Sequence, residues 1–302
     1  MVKLLGLCDH VCDVYLHTGT MYPGGQALNE AVYARQLGAQ SDFMGVFGRD
    51  EVARHIQNTL DELQVGYSHC RSYDGENGFA RVTLEDGDRV FRGSNKGGVL
   101  QQHPIHLEPA DLEYAAGFDL IHTSNNAFTD QLLPTLARLP GFLSYDFSTR
   151  WNEPDRLERV CPYVDFAFLS CGDLDEAQTG QLCRTLYEKG CRMITATRGS
   201  KGALVFDGLQ FFSQPPDLVQ AVDTMGAGDS FASALLVSLL LALECTGRPG
   251  WEDPSFRREV LPVALKNAAA FAAKTCLTHG AFGHGIAVPP QLRPRFYEEV
   301  TP

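Results

Sequence analysis

Short apolar runs alternate with helical patterns along most of this chain, and that alternation limits the fold more than any single residue does. Strand-like runs fall at residues 3–8, 41–47, 80–83, 89–92, 120–123, 142–146, 166–170, 192–197, 203–206 and 210–212. Helix-like stretches fall at 27–37, 50–63, 130–138, 157–162, 173–189, 229–243 and 262–279. Strand–helix–strand repetition predicts an α/β fold: a mostly parallel sheet with helices on both faces. Ligands of such sheets sit beyond the carboxyl ends of the strands.

Residues 74–98 depart from this rhythm. They alternate with a period of two around Glu85-Asp86-Gly87-Asp88, and Asp-Gly is a favoured hairpin turn pair. The reading is one domain over residues 1–302, with lid strands inserted at about 14–23 and 74–98.

The 302 residues are 44% hydrophobic and 21% charged, ordinary for a globular chain that needs no disulfide or metal staple. A formal net charge of −12 argues against nucleic acid as a partner, although one anion can still bind in a local positive pocket. Nine cysteines, irregularly spaced and without a Cys-x-x-Cys pair, read as reduced thiols, so a cytoplasmic location is expected. The longest apolar stretch, 231–243, falls short of the roughly twenty residues that span a bilayer, so no membrane partner is expected.

The chemistry concentrates in Asp223-Thr224-Met225-Gly226-Ala227-Gly228-Asp229-Ser230-Phe231, followed by an apolar helix. Glycines admit close backbone approach, and a helix start offers unpaired N–H groups and a positive dipole end to an anion. A carboxylate at the mouth of such a hole can take a proton from an attacking hydroxyl. On Gly-Ala-Gly-Asp alone, a helix start with a capping Asp is the plainer reading.

The full run resembles a signature of the ribokinase (PfkB) family of carbohydrate kinases. Three other segments resemble that family in the same order: Gly24-Gly25-Gln26-Ala27-Leu28-Asn29, Gly45-Val46-Phe47-Gly48-Arg49-Asp50 and Thr197-Arg198-Gly199-Ser200-Lys201-Gly202. The resemblance implies a ribokinase-like three-layer α/β/α domain and an ATP-dependent, magnesium-using kinase. Asp229 would be the general base, with Gly226, Ala227 and Gly228 forming the anion hole. Asp13, Gly24, Gly25 and Asn29 would hold the sugar. Thr197, Gly199, Gly202, Asn267 and Gly280 would flank ATP, and a monovalent cation would sit beside Asp223 and Met225.

The family's Asn-x-x-Glu is replaced by Ser170-Cys171-Gly172-Asp173. Asp173 reads equally as a ligand to hydrated magnesium or as a helix N-cap. Arg198 reads as a phosphate contact or as an ordinary surface residue.

Arg89-Val90-Phe91, Asp146-Phe147-Ser148, Trp151, Asp165-Phe166-Ala167-Phe168 and His279-Gly280-Ala281-Phe282 resemble the fructoselysine 6-kinase branch. That branch implies phosphorylation of O6 of a fructosamine, a sugar joined to an amino-acid tail. The tail calls for acidic and basic groups beyond the sugar. Arg92 and Asn95, where the lid returns to the sheet, are the preferred candidates among the lid's polar residues. Other sugars (fructose, ribose, ketodeoxygluconate), a nucleoside, or a non-catalytic sugar-binding regulator are the alternatives. A homodimer through lid strands would cover their open edges.

Overall fold

The computed structural model describes residues 1–85 and 88–297. The turn pair Asp86-Gly87 and residues 298–302 lie outside the described residues.

Eight strands form the central sheet: β1 (Lys3–Leu7), β4 (Gln40–Met44), β9 (Leu120–Ser124), β10 (Phe142–Asp146), β11 (Phe166–Ser170), β12 (Met193–Thr197), β13 (Ala203–Phe206) and β14 (Phe211–Gln214). Their order is β14-β13-β12-β11-β10-β9-β1-β4. The six strands from β4 to β12 run parallel, while β13 pairs antiparallel with both β12 and β14.

Successive strand residues point to opposite faces, so both faces need cover. Leu5, Ile121, Leu143 and Ala167 pack in one core with residues of α4 (Pro109–Ala115), α5 (Leu133–Leu136), α6 (Pro154–Val160) and α7 (Glu176–Glu188), beside the short α3 (Val99–Gln102). Their neighbours Leu4, Leu120, Phe142 and Phe166 pack in a second core with α1 (Gln26–Gln36), α8 (Ala227–Leu243), α9 (Gly247–Glu252) and α10 (Pro254–Thr275). The result is the expected three-layer α/β/α arrangement.

A second sheet has the order β15-β3-β2-β7-β8, built from β2 (Val11–Tyr15), β3 (Thr20–Gly24), β7 (Phe79–Glu85), β8 (Asp88–Ser94) and β15 (Ile286–Ala287). A further parallel pair joins β5 (Val46–Phe47) to β6 (Arg71–Ser72). Cys12, Val14, Met21 and Phe79 of the second sheet pack with α2 (Glu51–Leu63) and Phe296 of α11 (Arg293–Tyr297). The β3 edge pairs with β15 at Met21 and Thr20, while β8 ends the sheet on the other side.

Some boundaries differ from expectation. The helix expected at 262–279 begins at Pro254, where the Asp253 carboxylate accepts from Ser255 N at 2.8 Å. Pro262 lies inside α10 on its exposed side. An interior proline costs about 3 kcal/mol, but Leu261, Ala264, Leu265 and Ala268 are buried in the shared core and hold the helix through it. The run 41–47 divides into β4 and β5 at Gly45. The stretch at 130–138 is a 3-10 turn followed by the short α5, and that at 157–162 is α6, which begins earlier at Pro154 and runs into a 3-10 turn at Cys161. The helix expected from Asp173 starts at Glu176, and Asp175 supplies its cap.

Candidate active site

The glycine run opens α8. Gly226 is the N-cap, with φ 74°, and a Cβ there would stand 2.4 Å from the Tyr33 hydroxyl. Only glycine lets the loop close onto α1 in that conformation. No side chain caps α8, and the N–H groups of Gly228 and Asp229 have no backbone acceptor among the described residues. A Cβ on Gly228 would meet nothing within 4 Å. Open space therefore lies over unpaired N–H groups at the positive end of a 17-residue helix, which suits an anion.

Asp223 anchors the loop. Its carboxylate accepts from the Tyr15 hydroxyl at 2.5 Å, from Met225 N at 2.9 Å and from Gly280 N at 2.8 Å. Gly280 is thereby placed in the packing behind the loop.

Asp229 lies in the first turn of α8 and accepts a hydrogen bond from Asn29 Nδ2 at 2.6 Å. It faces α1 and does not cap its own helix. Asn29 is buried, and its Oδ1 has no partner among the described residues. Asp13, on β2, is also buried, and its carboxylate makes no hydrogen bond among them. A Cβ on Gly24 would stand 2.5 Å from Asp13 Oδ2 and 3.9 Å from Asn29 Oδ1. Gly24 thus brings two unsatisfied acceptors together beside Asp229, and buried acceptors without donors are costly unless a ligand supplies them. Gly25, with φ 110°, lies against the carbonyl of Asp9, from which a Cβ would be 2.4 Å.

Burial and mutual repulsion raise the pKa values of the carboxyls here. Burial lifts Asp13 to about 7 despite the nearby Arg89 charge. It lifts Asp146, at the end of β10, to about 7, with Asp229 adding to the shift. Asp9 rises to about 6, held back by hydrogen bonds from Ser124 and Gln26 N. Asp229 itself is raised by burial, against the Asn29 bond and Arg89. Such a group of carboxyls favours a ligand that brings positive charge or many hydroxyl donors.

The lid residues divide unexpectedly. Arg89 Nη1 donates to the Thr224 carbonyl at 2.9 Å, and the Thr224 hydroxyl donates to Asp88 at 2.9 Å. This pair ties the hairpin to the glycine loop. Arg92 instead pairs with Glu85 and bonds Thr83 within the hairpin. Asn95 is committed to backbone: its Oδ1 accepts from Phe79 N, and its Nδ2 donates to the Asn77 carbonyl at 2.9 Å. Arg89, and not Arg92, is thus the lid cation that reaches the glycine loop.

The expected nucleotide side is more open. Thr197 ends β12 and donates to the Leu169 carbonyl at 3.1 Å. Gly199 is exposed, and a Cβ on it would meet nothing within 4 Å. Gly202 is constrained by β14, since a Cβ would stand 2.2 Å from the Gln214 carbonyl oxygen. Asn267 is exposed on α10 and donates to Ser238 of α8 at 3.4 Å. Arg198 is buried, 3.5 Å from Glu176, with an unpaired Nε, so it is no ordinary surface residue.

Among the described residues, no group of three or more His, Cys, Asp or Glu could hold a metal ion. Magnesium beside a nucleotide needs only one or two carboxylates with phosphate oxygens and water. Asp173, exposed and without a hydrogen bond among the described residues, fits that part. No helix among the described residues is long and apolar enough to cross a membrane. Clefts of about 450 and 670 Å³ lie elsewhere, against α2 with residues 284–289 and beside α11, and contain none of these groups.

A family model described as pfkB family carbohydrate kinase matches residues 2–283. The chain belongs to the pfkB carbohydrate kinase family. It is a phosphotransferase acting on an alcohol group of a sugar. It is 41% identical over 285 residues to fructosamine kinase FrlD of Bacillus subtilis (strain 168), covering 94% of each chain. It is 30% identical over 282 residues to fructoselysine 6-kinase of Escherichia coli (strain K12), covering 93% of this chain and 100% of that one. Its fold matches Arabidopsis thaliana ribokinase, solved with ribose and ATP, at a TM-score of 0.76 and 19% identity, over 93% of this chain and 94% of the other.

Sequence reasoning missed Tyr15 as the partner of Asp223, and it did not place Asp9 beside Gln26. Neither belongs to a quoted motif. Only the pairing of β2 with β3 and the chain reversal after β1 bring them to the site.

Proposed function

We propose that this pfkB-family kinase transfers the γ-phosphoryl group of ATP to O6 of a fructosamine such as fructoselysine. In this reading residues 1–302 act as one kinase domain with a lid. Asp229 takes the O6 proton, O6 bonds to the γ-phosphorus, and the bond to the β–γ bridging oxygen breaks, releasing ADP. The N–H groups at the start of α8, around Gly226, Ala227 and Gly228, face the charge that develops on the phosphoryl oxygens. Thr197, Gly199, Gly202, Asn267 and Gly280 flank ATP. Magnesium, through Asp173 and water, would neutralise phosphate charge.

The observation that carries this reading is the Asn29 side chain. Its Nδ2 donates to Asp229, its buried Oδ1 has no partner among the described residues, and the Asp13 carboxylate, with no hydrogen bond among them, lies beside it over Gly24. A sugar whose hydroxyls donate to those two acceptors is held with its terminal hydroxyl at Asp229. The fructosamine preference draws on the named relatives and on the raised carboxyls Asp9, Asp13 and Asp146, which a substrate ammonium would stabilise in their charged forms. A monovalent cation beside the Asp223 and Met225 backbone and a homodimer through the lid belong to the same proposal.

The test is ADP release with fructoselysine, fructose, ribose, ketodeoxygluconate and a nucleoside in parallel. The reading expects kcat/KM for fructoselysine to exceed the others by at least about tenfold. A clear preference for any other acceptor overturns the substrate, and tight sugar binding without ADP release overturns the catalysis.

A further inference from the structure

Three non-glycine residues with left-handed backbone occur just after the lid and two strand ends: Lys96 (φ 56°) after β8, Phe128 (φ 56°) after β9 and Ser148 (φ 50°) after β10. Such conformations are unfavourable for residues with a Cβ and gather where function requires them. Phe128 is the least expected of the three. Its neighbours Ala127 and Thr129 are fully buried, yet Phe128 is 43% exposed. The backbone turns an aromatic ring outward between two residues that are held inside. That ring lies against the turn that follows β8, where a Cβ on Gly97 would stand 3.3 Å from it.

A continuous path links this ring to the base. Asn29 bonds Asp229, and Gln26 lies one turn earlier on α1. The Gln26 side chain lies near enough to Asp146 to hold down its burial-raised pKa, and its Oε1 accepts from Asn126 Nδ2 at 3.2 Å. Asn126 stands two residues before Phe128, beside Asn125, whose Oδ1 is buried without a partner. A ligand with its reacting hydroxyl at Asp229 and its far end along Gln26 and Asn126 arrives at Phe128 and Gly97.

The charges along this path change sign. Asp9 and Asp146 lie at its inner part, whereas at the rim Lys96 makes no ion pair among the described residues. Arg156, which donates to the Asn125 carbonyl at 3.4 Å, is taken by Glu153 at 2.9 Å and Asp130 at 3.2 Å.

Building on the fructosamine reading, we propose that Lys96, Gly97 and Phe128 form the subsite for the amino-acid tail. The apolar stem of the tail lies on the Phe128 ring, and its carboxylate pairs with the Lys96 ammonium. The inner carboxylates face the secondary ammonium that joins tail to sugar. The tail subsite is thus a specificity device separate from the sugar slot.

The test compares fructoselysine, 1-butylamino-1-deoxyfructose (a stem without the carboxylate) and fructose, on wild type, Lys96→Gln, Lys96→Arg, Phe128→Ala and Phe128→Gly. Lys96→Gln is expected to raise KM for fructoselysine about tenfold, the loss of one charge-assisted contact. It should leave KM for the butylamino sugar within about twofold, and Lys96→Arg should restore most of the loss. Phe128→Ala is expected to raise KM for both tailed substrates about fivefold, and that for fructose less than twofold. Phe128→Gly should lose the same preference while melting at or above wild type, because glycine accepts this backbone without strain. A wild type that phosphorylates fructose and no fructosamine overturns the parent reading and this one together. A wild type that prefers fructoselysine, with that preference intact in the Lys96 and Phe128 variants, overturns the tail subsite alone. An equal rise in KM for fructose and the tailed substrates also overturns it.

Discussion

On the α1 side of Gly226, the polar groups that bear on the sugar slot are mostly buried and fixed. Asp223 is held by Tyr15, Met225 and Gly280, and Asn29 is bonded to Asp229. On the β12 side, Gly199, Asp173 and Asn267 are exposed, and two of those three make at most a single long side-chain contact. Buried acceptors without donors accept only a ligand with donors in matching places, because a mismatch leaves them unpaired. An open surface of backbone and one carboxylate tolerates more variation. Selectivity is therefore expected to reside on the buried side, and the open side to contribute phosphate and metal binding in smaller increments.

The sharpest way to break this contrast is Asp229→Asn. It should lower kcat by roughly two to four orders of magnitude while sugar affinity, measured calorimetrically, changes little. Near-normal turnover would remove Asp229 as the base.

Next in size is Asp13→Ala. KM for the sugar should rise at least about thirtyfold, with KM for ATP within about twofold. A parallel rise in both would dissolve the distinction between the two sides.

Within the lid, Arg89→Met should lower kcat/KM about tenfold through loss of the Thr224 contact and of its charge near Asp13 and Asp229, whereas Arg92→Met should change it less than twofold. Steady-state kinetics of the two variants would expose a reversed order.

The raised carboxyls predict opposite pH trends for activity and stability. Activity needs the ionised base, whose pKa burial raises, so kcat/KM should fall as pH falls; Asp13 and Asp146 take up protons as pH drops through about 7. Folding, in contrast, favours their protonated forms: the folded values of about 7, 7 and 6 for Asp13, Asp146 and Asp9 lie above the unfolded value of 3.8. Their stabilising contribution is present at low pH and lost as pH rises through 6 to 7. The ligand-free protein should therefore melt at a higher temperature at pH 5.5 than at pH 8, and Asp13→Asn should reduce that difference. The smallest effect is expected on the open side, where Asp173→Asn should raise the magnesium concentration for half-maximal rate only about threefold.

Much of the candidate site was legible because it is local in sequence. Gly226 to Asp229 lie at one helix start and Gly24 to Asn29 lead into another, so these residues can be read as motifs whose family resemblance implies an anion hole and a sugar-binding amide. The hairpin was legible as a hairpin but not in its orientation. Period-two alternation separates Arg89 from Arg92, yet both faces of β8 are largely exposed, and no apolar stripe says which turns toward the site. Pro262 misled for a related reason: a proline is a good helix start, and only packing against α8 shows that this helix continues through one.

The sequence by itself determined the parallel α/β frame, the motifs that open α1 and α8, and membership of a carbohydrate kinase family. Strand and helix periodicities and glycine spacing are local properties, and they survive without the fold. Only the tertiary structure decided that Asn29 bridges to Asp229, that Arg89 and not Arg92 reaches the glycine loop, and that Asp9, Asp13 and Asp146 share one buried region with the base. Those relations depend on which strand ends and helix starts converge, and on how far burial removes water from charges distant in sequence.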